Sequence, residues 1–234
     1  MPNKFSWGKF VLALAFVGGL FFLLLERKPR MVELKGQTMG TTYTVKYLRE
    51  KDPPSRKKIH SEIQRMLQEV NLEMSTYMEN SVISEFNRMK GREGMKLPEG
   101  MSRVVDFSLE LARKTDGVFD PTLGPLVNLW GFGPDEKKRF PSDKKLKEVL
   151  QYVGFQSVLE FQKEKNRLKK LHPKAYLDLS ATAKGFGVDR VSEFLYSQGL
   201  SNHLVEIGGE VRTGGSKLRS PWKVGIETPS EKHD

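Results

Sequence analysis

Cysteine is absent from this 234-residue chain, and several classes of site are excluded with it. Disulfides, thiolate zinc sites, iron–sulfur clusters and a cysteine nucleophile all require that residue. A lipoprotein anchor is excluded for the same reason, because its lipid is carried on a cysteine. A Ser-His-Asp order, an HExxH motif and a Walker lysine loop are also missing, and the four histidines are dispersed. The sequence therefore does not indicate a triad hydrolase, a zincin or a P-loop enzyme.

Runs that alternate basic and aromatic residues, as in proteins that bind single-stranded nucleic acid, are missing too. The formal net charge is +10, but residues 1–30 contribute +4 of it, from five basic residues and Glu26. The other Lys and Arg residues are scattered in small clusters. A solvated basic face accounts for this charge, and no nucleic-acid partner is expected.

The longest apolar run covers sixteen residues, 10–25. Basic residues precede it and Glu26-Arg27-Lys28 follows it, which is the order of a secretory signal. No small-x-small cleavage site lies at its end, so residues 1–30 are predicted to be an uncleaved signal anchor. As a helix the run would cover about 24 Å, against a hydrocarbon core of about 30 Å. A buried core helix is the alternative, and basic residues at both ends leave the orientation open.

Hydrophobic periodicity predicts an α+β domain over residues 31–234, with mixed, largely antiparallel sheets flanked by helices. Alternation of apolar and polar residues predicts a strand over 32–47, and helical spacing predicts an amphipathic helix over 57–73. The further predicted helices are 81–86, 102–115, 142–152 and 182–198, and the further predicted strands are 157–161, 167–171, 175–179, 203–207 and 222–227. Residues 116–134 are predicted to be a loop rich in Gly and Pro.

Four stretches could carry chemistry, and residues 177–189 are the most informative. There an apolar strand runs into small residues and then into a helix with two glycines in its first turns. The unpaired N–H groups and positive dipole of a helix N-terminus suit a phosphate, and Lys184 would add a point charge. Close packing of the helix against the sheet would explain the glycines equally well.

The other three stretches are weaker when each is taken alone. Residues 116–126 hold two aspartates, two prolines and two glycines, the composition of a rigid loop. Residues 206–215 end a strand in paired glycines flanked by carboxylates, where the backbone could line a flat ligand or simply form a hairpin turn. The last stretch joins Met39-Gly40-Thr41 with Ser75-Thr76-Tyr77, in which the tyrosine could stack on a ring.

Taken together and in this order, the stretches resemble the ApbE family. The likeness runs from about residue 34 to residue 227, with five motifs in register. They are Met-Gly-Thr-Thr-Tyr (39–43), Ser-Thr-Tyr (75–77) with Ser-Glu-Phe-Asn (84–87), Gly-Val-Phe-Asp-Pro-Thr-Leu-Gly-Pro-Leu-Val-Asn-Leu-Trp-Gly-Phe-Gly (117–133), Leu-Asp-Leu-Ser-Ala-Thr-Ala-Lys-Gly-Phe-Gly-Val-Asp (177–189) and Val-Glu-Ile-Gly-Gly-Glu (205–210).

The resemblance implies an FAD:protein FMN transferase, a flavin transferase that cleaves the pyrophosphate of FAD. Such an enzyme attaches FMN through a phosphoester to a threonine of a target protein and releases AMP, with Mg²⁺ as cofactor. The implied FAD contacts are Met39, Tyr77, Val118, Phe119, Asp120, Asp178 and Lys184, and the implied magnesium ligand is the carbonyl of Ala181. No catalytic residue is assigned. Phosphoryl transfer needs positioning, metal and positive charge more than covalent help from the protein, which agrees with this assignment.

The implied partners are acceptor flavoprotein subunits of membrane redox complexes, modified at sequences of the Asp/Ser-Gly-x-Thr type. The implied location is the cell inner membrane, with a single N-terminal anchor and a periplasmic or extracytoplasmic catalytic domain. Two alternatives remain open. One is a Mg²⁺-dependent FAD pyrophosphatase, which would use water in place of the threonine, and the other is a membrane-anchored structural protein without a ligand.

The family sequence continues beyond the last residue of this chain. The resemblance places in that continuation a His-containing strand and the acidic and Thr side chains that complete the magnesium site. From the sequence alone we therefore expect a fragment or a truncated gene product. Such a chain would be a membrane-anchored flavin-binding protein with little or no transfer activity.

Overall fold

The computed structural model describes residues 29–49, 54–91, 94–133 and 140–226. The predicted anchor, residues 1–30, lies outside these ranges except for its last two positions. None of the helices within the described ranges combines the length and the hydropathy that a membrane span requires.

The described residues form seven strands and seven α-helices. In chain order they are β1 (Arg30–Thr38), β2 (Thr41–Arg49), α1 (Arg56–Met74), α2 (Val82–Arg88), β3 (Gly94–Lys96), α3 (Glu99–Lys114), α4 (Gly124–Leu129), α5 (Asp143–Leu150), α6 (Phe155–Val158), β4 (Leu159–Gln162), β5 (Arg167–Lys170), α7 (Ser180–Ser197), β6 (His203–Ile207) and β7 (Glu210–Gly214), with a 3₁₀ turn at Lys163–Lys165.

The strands build two antiparallel sheets. One has four strands in the order β1-β2-β6-β7, and the other has three in the order β3-β5-β4. The predicted α+β class with largely antiparallel sheets is confirmed. The helices predicted from periodicity and from capping serines are present as well, and Ser55, Ser81 and Ser142 accept backbone hydrogen bonds at the starts of α1, α2 and α5.

The predicted single strand over 32–47 is wrong, because the chain turns back on itself at Met39-Gly40. Both residues have positive φ, 50° and 70°, as a two-residue hairpin turn requires. Thr38 pairs with Thr41 across the turn, so alternation of apolar and polar residues continues on both sides of it. The signal was missed because the turn contains methionine instead of the usual asparagine or aspartate before glycine.

The predicted strand over 175–179 is also wrong. Its backbone bonds to groups outside any sheet. Leu177 exchanges two hydrogen bonds with the side-chain amide of Asn87, at 2.8 and 2.9 Å. The Asp178 amide donates to the carbonyl of Pro121 at 2.8 Å. This segment therefore ties the loop after α3 to the start of α7.

Two further sequence predictions need correction. Residues 222–226 form no strand, and Glu227 lies outside the described residues. The predicted loop over 116–134 contains the short helix α4, in which Pro125 occupies an early position where its missing N–H costs nothing. The hairpin turn predicted within residues 206–215 is confirmed, since β6 and β7 are joined by a turn at Gly208-Gly209.

Two apolar cores meet along α1. Its part from Ile59 to Leu67 packs with the four-stranded sheet and α7. Its last turns, with Val70 and Met74, pack with α2, α3 and the three-stranded sheet. Met39 contacts both cores from the β1–β2 turn. The end of α1 and this turn therefore lie at the junction of the two cores.

A buried lysine stabilises the second core. The Lys170 side chain is 0 % exposed, and its Nζ donates to the carbonyls of Asn87 and Met89, at 2.7 and 2.8 Å, where α2 ends. Nζ also lies 5.5 Å from the centre of the Phe86 ring. Burial lowers the pKa of this ammonium to about 8.

We expect Lys170→Met to reduce the free energy of unfolding by about 2–4 kcal/mol, because it leaves the two part-buried carbonyls of Asn87 and Met89 without this donor. In the wild type, stability from this group should rise between pH 8 and pH 10.5, since the unfolded lysine still binds a proton that the folded one has lost. The variant should lack that rise. Urea unfolding followed by circular dichroism from pH 7 to 10.5 measures both effects.

The matched control is Lys169→Met, which replaces the neighbouring lysine, whose side chain is 39 % exposed and 3.4 Å from Glu160. It should change the free energy of unfolding by less than about 0.5 kcal/mol. Equal unfolding midpoints for Lys170→Met and the wild type at every pH would contradict the role given to Lys170.

Candidate functional site

A cleft of about 700 Å³ lies where the β1–β2 turn, the end of α1 and the start of α7 come together. Three residues predicted as FAD contacts line it, namely Met39, Tyr77 and Lys184. The other lining residues come from the same three places: Gly40, Val70, Asn71, Met74, Ser75, Thr76, Met78, Ser180 and Ala183. Residues far apart in sequence are thus brought into one site.

Met39 reaches the cleft because of its left-handed backbone conformation. The end of its side chain lies over Gly187 of α7, where an added Cβ would be 3.0 Å from the Met39 Cε. Gly187 is therefore a packing position, whereas a Cβ on Gly185 would have no neighbour within 4 Å. Close packing, which the sequence left open as an explanation, accounts for one of the two helix glycines.

The β6–β7 turn lies beside the β1–β2 turn. Gly208 and Gly209 have φ of 53° and 96°, and the Gly208 amide donates to the carbonyl of Thr42 at 3.1 Å. A Cβ on Gly208 would be 2.7 Å from the Thr41 methyl group and 3.4 Å from Cδ of Lys184. Glycine here allows Thr41 and the stem of Lys184 to pass close to the turn.

The N-terminus of α7 already has a carboxylate beside it. Oδ1 of Asp178 accepts from the amide of Ser180 at 2.9 Å and from its hydroxyl at 2.6 Å. The amides of Thr182 and Ala183 donate to the carbonyl of Leu179. These groups are engaged inside the protein, so the ammonium of Lys184 is the cationic group that this helix offers to the cleft. An FAD contact of Asp178 stays a prediction.

The predicted contacts at Val118, Phe119 and Asp120 lie on the loop after α3, outside the residues that line the cleft. Val118 is 86 % exposed, and Phe119 packs against the second core. Both oxygens of Asp120 are engaged. Oδ1 accepts from the amide and hydroxyl of Thr122, at 2.7 and 2.6 Å, and Oδ2 accepts from the amide of Phe155 at 3.0 Å. The structure gives Asp120 a role in shaping this loop.

One polar residue of the cleft, Asn71, was missed from sequence, together with its buried hydrogen-bond partner Thr38. Asn71 lines the cleft on α1, and its side-chain amide donates to the hydroxyl of Thr38 at 3.1 Å. The sequence signal that could have revealed Asn71 is a polar residue between the apolar Val70 and Met74 of the predicted helix. It lies one helical turn before Ser75. Thr38 is buried at the end of β1, immediately before the turn.

The described residues contain no group of three or more His, Cys, Asp or Glu side chains that could hold a metal ion. Ala181, the predicted magnesium ligand, is exposed in the first turn of α7, next to Ser180, which lines the cleft. A backbone carbonyl is a hard donor that Mg²⁺ accepts, but one neutral oxygen is not a site. The part of the chain described by the structure therefore does not by itself fit a complete magnesium site.

Comparison with known proteins agrees with this geometry. The model of the ApbE family matches residues 39–234. The chain belongs to the ApbE family. That match begins at Met39, the first cleft residue along the chain, and extends over all the motifs on which the resemblance was based.

Curated relatives carry the name FAD:protein FMN transferase. One from Haemophilus influenzae is 40 % identical over 210 residues, which cover 88 % of this chain and 61 % of the relative. One from Vibrio cholerae is 42 % identical over 207 residues, with the same two coverages. The ApbE chain described here thus spans about three fifths of the length of these relatives.

Solved structures show the same fold. The flavin transferase ApbE from Vibrio cholerae has a TM-score of 0.82 at 41 % identity, over 86 % of this chain and 65 % of that one. The apo flavinyl transferase ApbE from Pseudomonas stutzeri has a TM-score of 0.80 at 35 % identity, over 85 % and 66 %. The ApbE fold expected from the motifs is confirmed.

We expect Asp120→Ala to reduce the free energy of unfolding by about 2–4 kcal/mol, because the amides of Thr122 and Phe155 lose their acceptor. Asp120→Asn should have a smaller effect, since the amide keeps one acceptor oxygen. Urea unfolding measures the change. Gln156→Ala, at an exposed neighbour of Phe155, is the control and should stay within about 0.5 kcal/mol of the wild type. An unchanged midpoint for Asp120→Ala would show that these bonds do not hold the loop.

Proposed function

We propose that this ApbE-family chain is an FAD:protein FMN transferase, which binds FAD in the cleft and transfers FMN to a threonine of a target protein, releasing AMP. The observation that carries the proposal is the convergence of Met39, Tyr77 and Lys184, from three separate elements, on one cleft of about 700 Å³. The names of the relatives support the reaction class, and the cleft supports the proposed position of the substrate.

The lining of the cleft suits a dinucleotide. Its volume lies within the range of about 300–1,000 Å³ typical of small-molecule sites. Met39, Val70 and Met74 provide an apolar wall for a flat ring, and the exposed ring of Tyr77 is available for stacking. Lys184 provides a positive charge in the lining of the same cleft, as a pyrophosphate requires.

The proposed reaction is a phosphoryl transfer. The threonine hydroxyl oxygen attacks the phosphorus of the FMN half and gives up its proton, and AMP leaves with the electron pair of the cleaved P–O bond. The described residues contribute binding and charge. Lys184 would neutralise the phosphate oxygens as negative charge builds up, and the apolar wall would hold the flavin or adenine in place.

Dependence on Mg²⁺ is part of the proposal, supported by the reaction class and by the exposed first turn of α7 at Ala181. When bound, the ion would neutralise the pyrophosphate. Because the described residues do not complete a site for it, we assign them no step that passes through the metal.

We further propose that residues 1–30 anchor the chain in the inner membrane and that the acceptors are flavoprotein subunits of membrane redox complexes. Support for the anchor is the uninterrupted apolar run over 10–25. The catalytic domain would then lie on the periplasmic or extracytoplasmic side, where such acceptors expose their threonines.

The function is tested by incubating the chain with FAD, Mg²⁺ and an acceptor domain that carries an Asp-Gly-x-Thr sequence. We expect covalent fluorescent FMN on the acceptor and one AMP per FMN transferred. Free FMN and AMP alone would support an FAD pyrophosphatase, and bound FAD without either product would support a flavin-binding protein. No heat of binding with FAD at millimolar concentration, with or without Mg²⁺, would contradict all three.

Variants at Tyr77 connect this result to the cleft. Tyr77→Ala should weaken FAD binding about threefold to tenfold, because a stacking contact of about 0.5–1.5 kcal/mol is lost, and Tyr77→Phe should keep it. Phe107→Ala is the control, since Phe107 is an aromatic residue of similar exposure outside the cleft, 57 % against 65 %.

The location is tested with spheroplasts that express a C-terminally tagged chain. Added protease should digest the residues from about 31 onward, while a cytoplasmic marker in the same cells stays intact. A chain that stays fully protected would contradict the proposed orientation.

A further inference from the structure

Lys184 and Glu210 form an ion pair at the edge of the cleft. Nζ of Lys184 lies 3.0 Å from Oε1 of Glu210, the first residue of β7. The other carboxylate oxygen, Oε2, is buried and accepts no hydrogen bond from the described residues. Within that part of the chain, Lys184 also has no second anionic partner. Within the described residues, Lys184 and Glu210 are therefore ion-paired with each other and with no other charged side chain.

The hairpin that carries Glu210 is fixed on both sides. Ile207 pairs with Glu210 across the turn, and the amide of Gly209 donates to Oε1 of Glu206 at 2.8 Å. The amide of Gly208 is bonded to β2, as described above. Glu210 thus projects from a braced β-turn, whereas the lysine stem has four rotatable bonds of its own.

A second ion pair fixes the choice of partner. Arg212 lies two residues after Glu210 on the same face of β7, and its Nη1 is 2.7 Å from Oδ1 of Asp189 on α7. Along β7, the acidic Glu210 is followed by the basic Arg212. Along α7, the basic Lys184 is followed by the acidic Asp189. Exchanging partners would place like charges opposite each other, so Lys184 is directed to Glu210.

From this geometry we infer that Glu210 is a positioning residue for Lys184. It holds the ammonium at the cleft by one of its three N–H donors and leaves the other two for a phosphate of the ligand. This inference rests on the proposed function, since it needs an anionic nucleotide in the cleft. A carboxylate that only competed with the phosphate would have the opposite effect on affinity, because its removal would strengthen anion binding.

The test is a double-mutant cycle in which AMP and the uncharged adenosine are titrated into the full chain by calorimetry. Glu210→Ala should weaken AMP binding about tenfold, because the freed lysine must be immobilised by the ligand, and should leave adenosine binding unchanged. Glu210→Gln should be intermediate, since it keeps a hydrogen-bond acceptor. In a Lys184→Met background, Glu210→Ala should have no further effect on either ligand.

The control is Glu148→Ala, which removes the acid of an exposed ion pair with Lys145 on α5, outside the residues that line the cleft, and should leave AMP affinity unchanged. Tighter AMP binding by Glu210→Ala, equal losses for AMP and adenosine, or full additivity with Lys184→Met would each overturn the positioning role. If Glu210→Ala does not fold, wild-type affinity in Glu210→Gln would overturn it as well.

These results would leave the proposed function standing, provided that the wild type binds AMP. A wild type that binds neither AMP nor FAD would overturn both.

Discussion

The cleft depends on the contact between two hairpin turns at the same end of the four-stranded sheet. The β6–β7 turn is hydrogen bonded to β2 through the amide of Gly208. A Cβ at this position would lie only 2.7 Å from the Thr41 methyl group, so the close contact between the turns requires glycine. Met39 projects from one turn, and Lys184 runs alongside the other. A side chain at position 208 would separate the turns, and the distance between the apolar wall and the ammonium would change with them.

Much of this arrangement could be predicted from the sequence, because its signals are local. The spacing of Ile63, Leu67 and Val70 predicted α1, and capping serines predicted where helices begin. The β1–β2 turn could not be recognised, because the left-handed methionine in it packs against both apolar cores, through contacts between distant segments. The segment 175–179 has the composition of a strand, but its bonding partner is the Asn87 side chain, ninety residues away in sequence.

The predicted site residues fall into two groups, those that line the cleft and those whose side chains are hydrogen bonded elsewhere in the protein. Met39, Tyr77 and Lys184 meet in the cleft, whereas the carboxylate of Asp120 is engaged at the start of α6 and that of Asp178 at the start of α7. A sequence motif does not distinguish a residue that contacts a ligand from one that shapes the loop beside it, since both are equally necessary for the site. Hydrogen-bond partners make the distinction, and they depend on contacts between distant segments.

The lining of the cleft also determines how oxidation would act on this protein. Three thioethers, those of Met39, Met74 and Met78, face the cleft, and the chain has no thiol. Oxidants therefore cannot cross-link the protein through disulfides or cap a cysteine. Their product in the cleft would be methionine sulfoxide, which replaces an apolar surface with a polar one. At Met39 that change would reach both cores at once, and because sulfoxides are reduced enzymatically, the damage would be reversible.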